Sequence, residues 1–225
     1  MTEIEQYRTD LLEEVKVTAA QGEFRHEAFV GQIAGMLVEA EELSDWTPCY
    51  FRDKGHRRRD LWVDGFLVED MEIDASVTLL VADFRGGPEM KSITGAQLSS
   101  VCDRTLNFVE DALAGRLQDL EPSKAYHDLA DWLFRYGSKI ASLRVYVLTD
   151  ALLNVRVREL PAKKLSHMRV EIQLWDIGRL FRAHETGGRE PIEIDLTEFV
   201  EGGIPVLRAS QSDADYEAYL LVVPG

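Results

Sequence analysis

The chain has 225 residues, 45% of them hydrophobic and 29% charged, with 25 Lys and Arg against 40 Asp and Glu for a net charge of −15. That apolar content excludes a disordered chain, no apolar stretch approaches the ~20 residues that cross a bilayer, and the acidic start Met1-Thr2-Glu3-Ile4-Glu5 is no export signal. Charge argues against sequence-tolerant coating of nucleic acid, and the widely separated Cys49 and Cys102 form neither a disulfide framework nor a metal knuckle, so the reading is a soluble, cytoplasmic protein with no membrane partner.

Two amphipathic helices open the chain. The first is expected over Ile4 to Ala20, with Leu11, Leu12 and Val15 on one side, and the second over Arg25 to Leu43, through Phe29, Val30, Ile33, Leu37 and Val38. Pro48-Cys49-Tyr50-Phe51 leads as a strand into a Lys54-Gly55 turn, and a second strand runs from Asp60 to about Val68. Between them Arg52-Asp53-Lys54-Gly55-His56-Arg57-Arg58-Arg59 is a basic island in an acidic chain. It reads as a solvated hairpin tip in preference to a phosphate contact, because one charge run is a weak signal. Met71 and Ile73 alternate with acids, as in a short edge strand or a polar turn.

Ser76 to Asp83 is the clearest strand. Its apolar run Val77, Leu79, Leu80 and Val81 fits the middle of a sheet covered on both faces, and Gly86-Gly87-Pro88 ends it. Thr94 and Gln97 have capping-box spacing ahead of a helix to about Ala114. Pro122-Ser123 opens another helix that closes at Gly137. Leu143 to Leu148 and Met168 to Trp175 are further strands, and Asp176 is an N-cap for a helix over Ile177 to His184. After Gly187-Gly188 a strand-rich tail follows at Glu193 to Leu196, Pro205 to Ala209 and Tyr219 to Val223. The fold class is therefore α/β: a central mixed sheet flanked by helices, with two N-terminal helices and a C-terminal β appendage. The domains are 1–190 and 191–225, and the apolar run ending at Gly225 reads as a cut within a longer protein.

The chemistry-bearing segment runs from Asp64 to Arg85. Asp64 sits where a strand meets Gly65, Asp83 ends the apolar strand, and Arg85 lies two positions on, facing the same way. Were a neighbouring strand to present Asp64 beside them, two carboxylates would suit a hard divalent cation that polarises a phosphodiester, with a guanidinium to stabilise developing charge. The ordinary alternative, which spacing alone favours, makes Asp64-Gly65 a hairpin-turn pair and Arg85 a salt-bridge partner of Asp83. The five histidines lack zinc-ligand spacing, Ser99-Ser100 and Cys102 have no nearby base, and no phosphate-binding loop of the GxxxxGK[ST] type occurs. Trp132, Phe134, Tyr136 and Trp175 read as packing residues.

Helix, strand, Asp, strand, Asp-x-Arg, helix, strand is an order that resembles the PD-(D/E)XK restriction-endonuclease-like fold. More narrowly, the chain resembles the N-terminal region of abortive-infection phage-resistance (AIPR) proteins. The resemblance is carried by Glu27-Ala28-Phe29, Pro48-Cys49-Tyr50-Phe51, Val63-Asp64-Gly65-Phe66, Val81-Ala82-Asp83-Phe84, Leu148-Thr149-Asp150, Leu174-Trp175-Asp176-Ile177-Gly178-Arg179-Leu180, Glu190-Pro191-Ile192-Glu193-Ile194-Asp195 and Tyr219 to Gly225. It implies that Asp64 and Asp83 are metal-binding acids and that the Phe84 backbone carbonyl is a further ligand for Mg²⁺ or Mn²⁺. Arg85 falls where that fold has a lysine, which can shift its pKa as Arg does not, so Lys91 is the nearest substitute cation. Glu27 and Glu39 are candidates for an acid contributed by the first core helix. The resemblance thus implies a nuclease-like domain of an anti-phage defence protein that hydrolyses DNA or RNA, or a catalytically inactive recognition or assembly module of the same protein. It further implies a larger C-terminal body as partner, with a homodimer as an open assembly.

Overall fold

The computed structural model describes residues 2–69, 75–154 and 163–186, together with the backbone of 206–208 and 219–221. Two units are distinguished, Met1–Arg189 and Glu190–Gly225.

The first unit begins with α1 (Glu3–Ala19) and α2 (Arg25–Glu39). Thr2 caps α1: its hydroxyl accepts the Glu5 N–H while the Glu5 carboxylate accepts the Thr2 N–H, satisfying two donors that the first helical turn leaves open. A meander follows, of β1 (Thr47–Lys54), β2 (Asp60–Glu69) and β3 (Ala75–Asp83). Next come the two-residue β4 (Ser92–Ile93), then α3 (Gly95–Leu113) and α4 (Ala125–Tyr136). Thr94 and Gln97 form the expected capping box at α3. The unit continues through β5 (Ile140–Thr149), β6 (Leu152–Leu153), β7 (Lys164–Leu165), β8 (Met168–Trp175) and α5 (Ile177–Glu185), whose N-cap is Asp176. In the second unit β9 (Val206–Arg208) pairs antiparallel with β10 (Tyr219–Leu221). The alternating segment at Met71 and Ile73, and the strand expected over Glu193 to Leu196, lie outside the described residues.

Six strands form one mixed sheet in the order β1-β2-β3-β5-β8-β7. β1, β2 and β3 are antiparallel neighbours, β3, β5 and β8 run parallel, and β7 folds back antiparallel on β8. β4 and β6 form a separate parallel pair. Both faces of the sheet are covered, which is why its central strands read as near-continuous apolar runs. Val77, Leu79 and Val81 of β3, with Val145 and Val147 of β5, pack against Leu98, Val101 and Val109 of α3 and Leu129 and Leu133 of α4. On the opposite face Leu80, Ala82, Tyr146 and Leu148 meet Leu11 and Val15 of α1, Phe29 and Ile33 of α2, and Ile177 and Leu180 of α5. Phe29, Val30, Ile33, Leu79, Leu80, Val145 and Val147 have no solvent exposure. Among the described residues no helix is long and apolar enough to cross a membrane.

Asp64 and Gly65 lie inside β2, so they are not a hairpin turn. The hairpin is closed earlier, at Gly55 to Arg59, where the Gly55 N–H donates to the Arg59 carbonyl (2.8 Å). Gly65 has a packing reason to be small: a β-carbon there would lie 2.6 Å from the Trp46 ring. The basic island divides at that tip. Arg57 and Arg58 are exposed with φ of 56° and 59°, whereas Arg59 turns back to Glu110 (2.5 Å) and Asp111 (3.3 Å) on α3.

Candidate functional site

Asp64 is set by an irregularity in the sheet. The β1–β2 register slips between Pro48 and Phe51, and the ladder of β2 with β3 stops at Gly65 opposite Leu80. Beyond that point the Asp64 side chain stands in for a backbone carbonyl and its Oδ2 accepts the Ala82 N–H (2.8 Å). His26 Nε2 lies 2.8 Å from Oδ1, and the Trp62 indole N–H donates to both oxygens (3.0 and 2.9 Å). A carboxylate offers only acceptors, so His26 must carry its hydrogen on Nε2. The Asp64 side chain is 1% exposed, and its nearest cation is the Arg52 guanidinium at 3.9 Å. Burial of this acid is tolerated because each of its oxygens is hydrogen-bonded.

Trp62 belongs to the same cluster. Cross-strand register places Arg52 directly opposite it, and the guanidinium stacks 3.7 Å from the centre of the indole ring. The Thr105 hydroxyl on α3 donates to the Trp62 carbonyl (3.0 Å), which brings the preceding residue, Arg104, to 5.3 Å from the same ring. His26 tilts against it at 5.7 Å. Burial pulls the Arg52 pKa down and Arg104 adds to this by repulsion, while Asp64 and Glu27 oppose it. Burial, then Glu27 and Asp64, push the Tyr50 hydroxyl up. Glu27 therefore shares the electrostatic surroundings of Asp64; its carbonyl accepts the Tyr50 hydroxyl (3.3 Å). Glu39 sits twelve residues further along α2, about 18 Å at 1.5 Å per residue, and is exposed.

Asp83 has a different environment. Arg85 donates to Asp83 Oδ2 through Nε (3.0 Å) and Nη2 (2.9 Å), and its Nη1 donates to the Ser92 carbonyl (3.0 Å). The Phe84 ring stacks on Phe29 at 4.5 Å in the core between sheet and N-terminal helices. Lys91 is exposed, and its carbonyl accepts the Leu152 N–H (2.8 Å). Asp64 reaches the backbone of Ala82, next to Asp83, yet the two acids share no donor among the described residues.

This donor set bears on the metal expected from the resemblance. Mg²⁺ requires about six oxygen ligands near 2.1 Å. Here Asp64 is ringed by N–H donors, Arg52 and Arg85 are the neighbouring charges, and no group of three His, Cys, Asp or Glu is gathered for an ion among the described residues. As arranged, these residues suit hydrogen-bonded carboxylates and do not fit a resident divalent ion.

Next to the Asp83 loop lies a second polar centre with no signal in the local sequence. Arg8 of α1 is 3% exposed and Asp150, just after β5, is fully buried. Arg8 Nη2 donates to Asp150 Oδ2 (2.6 Å) and to the Gly87 carbonyl (2.9 Å), and Nε donates to the Asp150 carbonyl (2.8 Å). Asp150 also accepts the N–H groups of Arg85 (2.7 Å) and Gly86 (3.0 Å). Gly86 has φ of 58°, a conformation that glycine adopts without strain. The loop that carries Arg85 is thereby fastened to α1. A third buried acid, Asp111, holds the β1–β2 turn: it accepts the His56 N–H (2.7 Å) and is paired with Arg59 and Arg116.

A family model described as the abortive infection phage resistance protein N-terminal domain matches residues 29–182. No curated protein and no solved structure matches the chain.

Proposed function

Since this chain belongs to the abortive infection phage resistance family, carrying that family's N-terminal domain, its setting is anti-phage defence by abortive infection, and we propose that it acts there as a recognition module that does not turn over. One observation carries this reading: the Asp64 carboxylate is enclosed, with its acceptor capacity taken by His26, Trp62 and the Ala82 N–H. The pairing of Asp83 with Arg85, where the resembling nucleases have a lysine, supports it further. On this reading Asp64 is an anchor. It fixes the tautomer of His26 and the plane of Trp62, and thereby the surface that those side chains present. The module is cytoplasmic, residues 191–225 begin a larger C-terminal body, and its partners are that body and DNA or RNA, with a homodimer as the assembly to test.

A second reading has one observation in its favour. The Ala82 hydrogen bond brings the Asp64 carboxylate to the residue before Asp83, as a PD-(D/E)XK nuclease with Mg²⁺ or Mn²⁺ on Asp64, Asp83 and the Phe84 carbonyl would need. That site would open only if the ion displaced the Trp62 and His26 donors. Calorimetric titration of Mg²⁺ and Mn²⁺ into the chain and into Asp83→Ala separates the two. The recognition reading expects matching heats and intact plasmid and RNA after incubation, also for Arg85→Lys. Heat lost in Asp83→Ala together with metal-dependent cleavage would overturn it.

A further inference from the structure

In the Arg52–Trp62–Arg104 cluster neither guanidinium is hydrogen-bonded to a carboxylate among the described residues, although Asp64 and Glu27 attract Arg52 and Asp60 attracts Arg104. The cluster lines a surface cleft of about 430 Å³ between the β1–β2 hairpin and α3, together with Lys54, Asp53 and Asp60. The two acids have local partners. Asp60 is bound by Lys54, and the Asp53 carboxylate accepts the Lys54 N–H (2.7 Å). The arginines are different. Arg104 forms no hydrogen bond or ion pair among the described residues, and the nearest carboxylate oxygen to Arg52 lies at 3.9 Å, beyond hydrogen-bond range. Both guanidiniums nevertheless lie within 6 Å of one indole ring, in a chain whose net charge of −15 supplies acids in excess. Stacking on an aromatic ring leaves the N–H edges of a guanidinium free to meet an oxyanion, and that planar fork matches a phosphate.

The ring that gathers them is immobilised from below. Its N–H is bound to both oxygens of Asp64, and its carbonyl is bound to Thr105. The site is therefore built on the sheet and on α3; the Arg52 side chain is 49% exposed, and Trp62 and Arg104 are half-buried. We infer that Arg52 and Arg104, gathered on the Trp62 indole, bind a phosphate group carried by a nucleic-acid strand or by a nucleotide. This rests on the recognition reading above, whose ligand class it names. The exposed Arg57 and Arg58 at the hairpin tip extend the basic surface along the same hairpin.

The test uses the whole 225-residue chain. Fluorescein-labelled 20-mer single-stranded DNA and RNA are titrated by anisotropy in 50 mM salt, and ADP by calorimetry, with near-UV circular dichroism to check folding. Arg52→Ala and Arg104→Ala each raise Kd roughly tenfold, the size of one charge-assisted hydrogen-bonded contact. If strands bind, each loss lowers the slope of log K against log salt by about 0.7. Lys124→Ala, which removes an exposed positive charge elsewhere, leaves Kd unchanged. Binding of a strand without ADP, or of ADP without a strand, supports the site and identifies the source of the phosphate. Absence of binding by every probe, folded arginine variants with wild-type affinity, or equal weakening by Lys124→Ala would overturn it. Those results leave the non-hydrolysing module standing with the C-terminal body as its partner, whereas Mg²⁺-dependent cutting of the 20-mers removes that reading and leaves the phosphate site intact.

Discussion

Replacing Arg8 by Met tests whether the buried ion pair beneath the Arg85 loop holds the N-terminal helix to the sheet. The substitution keeps most of the aliphatic volume and deletes the hydrogen bonds to the Asp150 carboxylate, the Asp150 carbonyl and the Gly87 carbonyl. Asp150 then remains fully buried with only the Arg85 and Gly86 N–H groups as donors. Breaking a buried pair from one side costs about 3–5 kcal/mol, chiefly because the remaining charge is left uncompensated. For a folded unit of this size about 2–4 °C corresponds to each kcal/mol, so the melting temperature should fall by roughly 6–20 °C. Differential scanning calorimetry measures this directly. The partner variant Asp150→Asn and the double variant complete a cycle. Because the double removes both charges, it should lose about 2 kcal/mol less than the sum of the singles. A fall of under 2 °C for Arg8→Met, or strict additivity in the double, would refute the argument.

Three further outcomes follow from the other buried groups. Burial raises the Asp111 pKa, but the His56 N–H and then Arg116 and Arg59 outweigh it, so the net shift is downward. A lowered folded-state value means that Asp111 contributes stability above its unfolded pKa of about 3.9 and loses it as pH falls through the lower folded value. Urea unfolding between pH 6 and pH 3 should show that acid-side loss, and Asp111→Asn should flatten it; an unchanged acid limb contradicts the reasoning. Burial pushes the Cys102 thiol up to about 12 and also raises Cys49, so neither should react with a thiol reagent at pH 8 until denaturant is added. Rapid labelling of the native chain would show that these sites open. Asp64→Ala leaves the Trp62, His26 and Ala82 donors without their acceptor, at about 1–3 kcal/mol for each left dry. It should lower stability and shift tryptophan emission even without metal; emission and stability identical to wild type would show that Asp64 does not anchor Trp62.

The fold was legible where a single local rule decided it. The apolar run Val77 to Val81 fitted a strand covered on both faces, and the Thr94/Gln97 spacing marked the start of α3. Asp83 and Arg85 were readable as a pair from their spacing of two, although β3 ends at Asp83 and Arg85 lies in the loop beyond it, so the strand-face rule reached the right pair outside a strand. Asp64 was not readable in the same way. Its surroundings depend on a register slip in β1 and on His26, 38 positions earlier, which lacks the histidine spacing of a zinc site and so gave no local signal. A signal for the arginine platform did exist: a turn at Lys54–Asp60 pairs Arg52 with Trp62 across the hairpin. Arg104 and the Arg8–Asp150 pair had none, since only tertiary packing brings α3 and α1 to those positions.

The two borders of the main sheet differ in what they offer an added strand. At one border β1 carries Pro48, which has no N–H to offer, a register slip after it, and the charged Arg52, Asp53 and Lys54 at its far end. At the other, β7 extends among the described residues over Lys164 and Leu165 and pairs with Arg169 and Met168, so the rest of β8 has no described neighbour on that side. The β1 border is thus a poor template for an added strand, which leaves β8 as the side where strand addition is to be looked for.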